Sequence, residues 1–146
     1  MKVQDILNEK GTRVISTHEE TLLVDAMALF FANKVGSLLV VDKYDKILGI
    51  VAPNDVLKGI HNNLDGITTM KVKEVMVSDL IVATLEDDLD YIQNIMTENR
   101  VRHIPILEKG DLVGLVSIGD VVKAQMTEKN VENRYLKDYI EGKYPA

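Results

Sequence analysis

Runs of apolar residues separated by short polar turns divide this chain into blocks, and the order of the blocks occurs twice. Val3-Gln4-Asp5-Ile6-Leu7 matches Val72-Lys73-Glu74-Val75-Met76. Ile15 then matches Val82, Ala26 matches Ile92, Val35 matches Val101, Gly49 matches Gly114 and Asp55 matches Asp120. The offset between the copies shortens in steps that fall between blocks, where loops tolerate deletion. Two copies of one unit explain this better than chance likeness.

Each copy predicts the same series of elements. A short helical turn opens it (3–8 and 72–77), followed by a short apolar strand (13–16 and 80–84). An amphipathic helix comes next. Leu22, Leu23, Ala26, Met27, Leu29 and Phe30 form its apolar stripe in the first copy, and Leu89, Ile92, Ile95 and Met96 in the second. Two strands then pair through a polar turn, 38–41 with 47–51 and 104–107 with 112–116. They are nearly continuous in Leu, Ile and Val, as strands covered on both faces are. A last helix closes each copy, at 55–62 and 120–129. The chain thus divides into a first unit at 1–62, a linker at 63–71, a second unit at 72–129 and a C-terminal helix and tail at 130–146. The fold class is α/β, each unit running β-α-β-β-α. In the tail, Val131, Tyr135, Leu136, Tyr139 and Ile140 share one helical face, which can pack on its own domain or on a partner subunit.

Composition narrows the function. Hydrophobic residues make up 46% of the 146, enough for a core, and there is no cysteine to form a disulfide or a thiolate metal site. The start, MKVQDILNEKG, lacks the basic and apolar regions of a signal peptide. No apolar run approaches a membrane span. A cytoplasmic soluble protein is the expectation. The net charge of −6 argues against nucleic-acid binding. Against that acidic background Arg100, Arg102 and His103 form a local positive cluster, either a solvated loop or an anion site.

The stretch Arg102 to Asp120, RHIPILEKGDLVGLVSIGD, carries the chemistry. Ser117 with Asp120 three positions later is close to a capping box, which stabilises a helix with no ligand. The same helix mouth offers unpaired N–H groups and partial positive charge to a phosphate. Ser117 could donate to that phosphate, and Asp120 could accept from two ribose hydroxyls. In a hairpin the start of the first strand lies beside the end of the second, so Arg102 and His103 should stand near the Ser117 corner. The acid recurs as Asp55 although Ala52 stands where Ser117 does, which favours a ligand over a cap. A catalytic triad of Ser117, His103 and Asp120 fails on context. Asp120 lies one turn from Ser117 on the same helix, and no nucleophile elbow is present. The three histidines lack metal-ligand spacing and no phosphate loop occurs. The expectation is no enzyme and no metal.

The duplicated order, the RHIP segment and the Gly-x-x-Ser-x-x-Asp ending resemble a tandem pair of CBS domains, a Bateman module, across residues 1 to about 127. The tail is similar to that of small stand-alone bacterial proteins of this type. The resemblance implies two CBS units related by a pseudo-two-fold axis, and flat homodimers aided by the C-terminal helix. It implies binding of AMP, ADP, ATP, NAD(H) or S-adenosylmethionine as a regulatory ligand in the cleft between the copies, with no cofactor required. The protein target stays unknown, and no nucleic acid or membrane partner is implied. Asp120 would bind ribose. Ser117, Arg102 and His103 would bind phosphate, and Val82 and Pro105 would hold the adenine. In the first copy the corresponding residues are Asp55, Ser37, Ile15 and Ser16. That copy departs from the pattern: Ala52, Leu39 and Gly36-Ser37 replace the hydroxyl residue, the proline and the Arg-His pair. Its site is expected to be weaker, differently selective or empty. A dimerising scaffold with vestigial sites is the alternative function.

Overall fold

The computed structural model describes the backbone of residues 1–142 and their side chains, except those at 128–133, 135, 138 and 139. The chain forms two compact units. One comprises Arg13–Ile81, and the other comprises Met1–Thr12 with the chain from Val82 onward.

The Arg13–Ile81 unit holds β1 (Ser16–His18), α2 (Leu23–Asn33), β2 (Leu38–Val41), β3 (Ile47–Val51) and α3 (Pro53–Asn62); the other unit begins with α1 (Val3–Lys10). Strand β1 runs parallel to β2, with Thr17 opposite Val40, and β2 runs antiparallel to β3, with Leu38 opposite Val51. Leu23, Ala26 and Phe30 of α2 pack on Leu38, Val40 and Val51 of the sheet, with Val56 of α3 and with Met70 and Val72. The expected strand at 13–16 lies later, at Ser16–His18. Ile15 contributes a single carbonyl, which accepts from the Leu39 N–H at 3.1 Å. The displacement has a simple cause. Thr17 is the one inward residue of a polar Ser-Thr-His strand, which carries no hydrophobic signal.

The other unit adds α4 (Leu89–Asn99), β4 (His103–Glu108), β5 (Asp111–Ser117) and α5 (Ile118–Ile140) to α1. Strands β4 and β5 form an antiparallel ribbon in which His103 stands opposite Ser117. The expected strand at 80–84 shrinks to one bridge. The Ala83 N–H donates to the Pro105 carbonyl at 3.0 Å, and the Leu107 N–H donates to the Ala83 carbonyl at 2.9 Å. Directly after it the Asp87 carboxylate accepts the Thr84 N–H, which turns the chain away. The last helix is also longer than expected. No glycine or proline occurs from Asp120 to Ile140, so the closing helix and the tail helix are one 23-residue element. Both α2 and α4 end on a left-handed residue, Lys34 and Arg100, so Arg100 serves as a helix C-cap. None of the helices searched among the described residues is long and apolar enough to cross a membrane.

Sequence repeat and packing unit do not coincide. Helix α1 opens the first repeat, yet Val3, Ile6 and Leu7 are buried with Ile92, Ile104, Val116 and Val121 of the second. Conversely, Val72, Val75 and Met76 open the second repeat and pack with the first-repeat core. Matched glycines seat these matched segments. A Cβ at Gly114 would stand 2.8 Å from a Leu7 methyl, and one at Gly49 would stand 2.7 Å from the Val77 carbonyl oxygen and 3.0 Å from the Met76 sulfur.

The two glycines differ in what would have to yield. At Gly114 the obstacle is the far end of a leucine. At Gly49 it is backbone, fixed by paired bonds between Ile50 and Val77 of 2.8 and 2.9 Å. Gly49→Ala should therefore destabilise by about 1–3 kcal/mol, and Gly114→Ala by clearly less. Urea unfolding of both variants checks this; equal losses would contradict it.

Candidate functional site

The end of β5 and the start of α5 form a tight corner. The Ser117 Oγ accepts the Asp120 N–H at 3.1 Å, and Asp120 Oδ2 accepts the Ser117 N–H at 2.8 Å. This is a complete capping box, with aspartate in place of the usual Glu or Gln. The β4–β5 register then sets His103 across from Ser117, and the Ile118 N–H donates to the Arg102 carbonyl at 2.8 Å. The expected juxtaposition of Arg102, His103, Ser117 and Asp120 is thus present in the backbone. Arg102 is exposed, and His103, Ser117 and Asp120 are half-buried. Pro105 is buried, and the Ala83–Pro105 bond brings the exposed Val82 to the same strand two residues further in.

Sequence reasoning missed a fifth participant. Lys10, on the last turn of α1, directs its ammonium to Asp120 Oδ2 at 2.6 Å and to the Leu115 carbonyl at 2.8 Å. A lysine 110 positions away on a mixed-charge helix gives no signal of this contact. Only the docking of α1 on the second-repeat core creates it. Burial pushes the Asp120 carboxyl upward, but the Lys10 ammonium and the Ser117 N–H outweigh that, so it lies below its ordinary value.

In the first repeat the matching corner is simpler. Asp55 Oδ2 accepts the Ala52 N–H at 2.9 Å. Half of the capping box therefore survives without the hydroxyl, and the persistence of this acid no longer requires a ligand. The same device recurs at the start of α1, where Asp5 accepts the Lys2 N–H at 2.9 Å, and at the 3-10 turn Val72–Glu74, where Glu74 accepts the Lys71 N–H at 2.6 Å. Among the described residues, Asp120 is the one of these four acids that also holds an ion pair. Ser37 directly precedes β2, and the β2–β3 register sets it beside Ala52. It is 4% exposed, and its hydroxyl has no hydrogen-bond partner among the described residues. Ile15 and Ser16 lie alongside Leu39.

Comparison with known proteins places this architecture. The model of the CBS domain matches twice, at residues 3–62 and 72–127. A mitochondrial CBS domain-containing protein of Arabidopsis thaliana, CBSX3, is 32% identical over 151 residues, covering 97% of this chain and 73% of that protein. The solved structure of the CBS-domain containing protein ATU1752 from Agrobacterium tumefaciens is 31% identical, with a TM-score of 0.83, covering 85% of this chain and 92% of that one. The fold is also that of the CBS domain pair of protein MJ0100, solved in complex with 5'-methylthioadenosine and S-adenosylmethionine (22% identity, TM-score 0.74, covering 85% and 98% of the two chains). This chain belongs to the CBS-domain family and carries the domain twice.

Proposed function

We propose that this protein is a non-catalytic regulatory module that binds an adenosyl nucleotide (AMP, ADP, ATP or NAD(H)) at the corner of β4, β5 and α5. Through that ligand it reports energy or redox state to a protein target as a homodimer. The observation that carries this reading is the assembly of Ser117, Asp120, Arg102 and His103 at one helix mouth. A helix N-terminus with a hydroxyl, a guanidinium and an imidazole suits phosphate, and a carboxylate one turn in suits a ribose diol. Binding of adenosyl compounds by the MJ0100 domain pair supports the ligand class. Asp55, Ser37, Ile15 and Ser16 make the weaker site, since Ala52 supplies no hydroxyl and Gly36 no cation. One observation favours the alternative, a dimerising scaffold with vestigial sites: Asp55 and Asp120 both cap helices, which retains them without any ligand.

A thermal-shift panel with AMP, ADP, ATP, NAD(H) and S-adenosylmethionine separates the two. A ligand at about 100 times its dissociation constant adds roughly 2.7 kcal/mol, which is several degrees for a chain of this size. At least one compound should raise Tm, and Asp120→Ala should remove more of the shift than Asp55→Ala. A flat panel would leave only the scaffold.

Because both acids are caps, the variants also change stability without ligand. Asp55→Ala should cost about 1 kcal/mol. Asp120→Ala should cost about 1–2 kcal/mol, since a half-exposed ion pair adds modestly to its cap. The Asp120 carboxyl lies below its ordinary value in the folded chain. Its contribution is therefore complete above the unfolded value of about 3.9 and lost as pH falls through the folded one. The gap in urea midpoint between the parent and Asp120→Ala should be full at pH 7 and close on acidification. A gap that widens below pH 4 would refute the assignment.

A further inference from the structure

We propose that Lys10 determines ligand specificity at the second-repeat corner: its ammonium leaves Asp120 for the phosphate of an incoming nucleotide, so the site prefers a phosphorylated adenosyl ligand to an uncharged or cationic one. This inference rests on the nucleotide-binding reading above and adds to it a residue and a ligand class.

Asp120 Oδ2 receives two donors, the Ser117 N–H at 2.8 Å and the Lys10 ammonium at 2.6 Å. A carboxylate oxygen offers about two lone-pair sites, so Oδ2 is filled. A ribose diol that engages a carboxylate in bidentate fashion needs a place on each oxygen. One of the two present donors has to give way. The Ser117 N–H cannot, because it is backbone at the β5–α5 junction, held by the ladder opposite His103. The Lys10 ammonium can. It ends a flexible four-carbon stem, and its side chain is 33% exposed.

The displaced ammonium does not travel far. Val3, Ile6 and Leu7 bury α1 in the core, so the Lys10 backbone stays beside β5. Its stem remains within reach of the corner where Arg102 and His103 enter β4. Breaking the ion pair strands a charge in a half-covered position unless a new anion compensates it. A phosphate supplies that anion. Adenosine does not, and S-adenosylmethionine brings a sulfonium cation of its own. The ribose and phosphate contacts are thereby coupled through one lysine. The first repeat has no such device among the described residues, since Asp55 is held by the Ala52 N–H without an ion pair.

Calorimetric titration of the full chain with AMP and with adenosine, which differ only by the phosphate, tests this. The parent protein should prefer AMP. Lys10→Met should weaken AMP by about tenfold, the value of one charge-assisted hydrogen bond, while adenosine binding tightens. Lys10→Arg should restore the preference for AMP. Circular dichroism and Tm of Lys10→Met and of Lys10→Gln establish that the variants fold; if the first does not, the second carries the titration. Opposite movement of the two ligands supports the proposal. Parallel losses, or no change in either, overturn it. If the parent binds AMP and Asp120→Asn abolishes that binding while Lys10→Met leaves the ratio untouched, the lysine inference falls and the nucleotide reading stands. If the parent binds neither compound, both fall.

Discussion

The seating of α1 on the second-repeat core is the constraint on which the candidate site depends. Leu7 lies against Gly114, in the middle of β5, where a Cβ would stand 2.8 Å from its methyl and oblige the leucine to shift. With Leu7 in place, Lys10 one turn later reaches Leu115 and Asp120. One apolar contact thus sets the position of the strongest charge pair at the corner. Helix α1 is too short to be stable alone, so its order derives from this burial. The matched arrangement at Gly49 and Met76 shows that the same packing rule operates in both units, with a backbone carbonyl as the tighter neighbour there.

A second regularity runs through the chain. An acid three positions into a helix or 3-10 turn accepts the N–H that precedes it, at Asp5, Asp55, Glu74 and Asp120. These acids neutralise exposed donors and complement the helix dipole. They are a folding device first. What singles out Asp120 is its surroundings: a hydroxyl cap, an ammonium, and a strand that begins with Arg102 and His103. The proposed site at this corner is thus built on a capping motif that the fold also uses at other helix starts.

Much of this was legible in the sequence. Both hairpins stand where continuous Leu, Ile and Val runs put them, but the register that sets His103 opposite Ser117 also depends on an irregularity between Ile106 and Leu107 that the short turn at Lys109-Gly110 does not announce. The helices α2 and α4 follow their apolar stripes. Three of the failures share a cause, since each depended on contacts between residues distant in sequence. Strand β1 is polar and exists because β2 offers it a ladder. The segment near Ala83 has strand-like residues, but pairs at one position. Lys10 meets Asp120 only through helix docking. The inference that Asp55 persisted without a cap failed differently: an aspartate can complete its half of the box against a backbone N–H with alanine at the cap position.

The double use of the corner has a thermodynamic consequence. Asp120 holds the start of α5, a continuous helix that runs on from this point to Ile140. A ligand that draws on the same carboxylate and displaces Lys10 changes the electrostatics at the mouth of that helix and at the last turn of α1 together. The binding event and the stability of two helix ends then share one group. Leu136 and Ile140 near the far end of α5 are exposed. In the proposed nucleotide-bound state, the change of charge falls at the start of the same 23-residue helix that carries Leu136 and Ile140 at its far end.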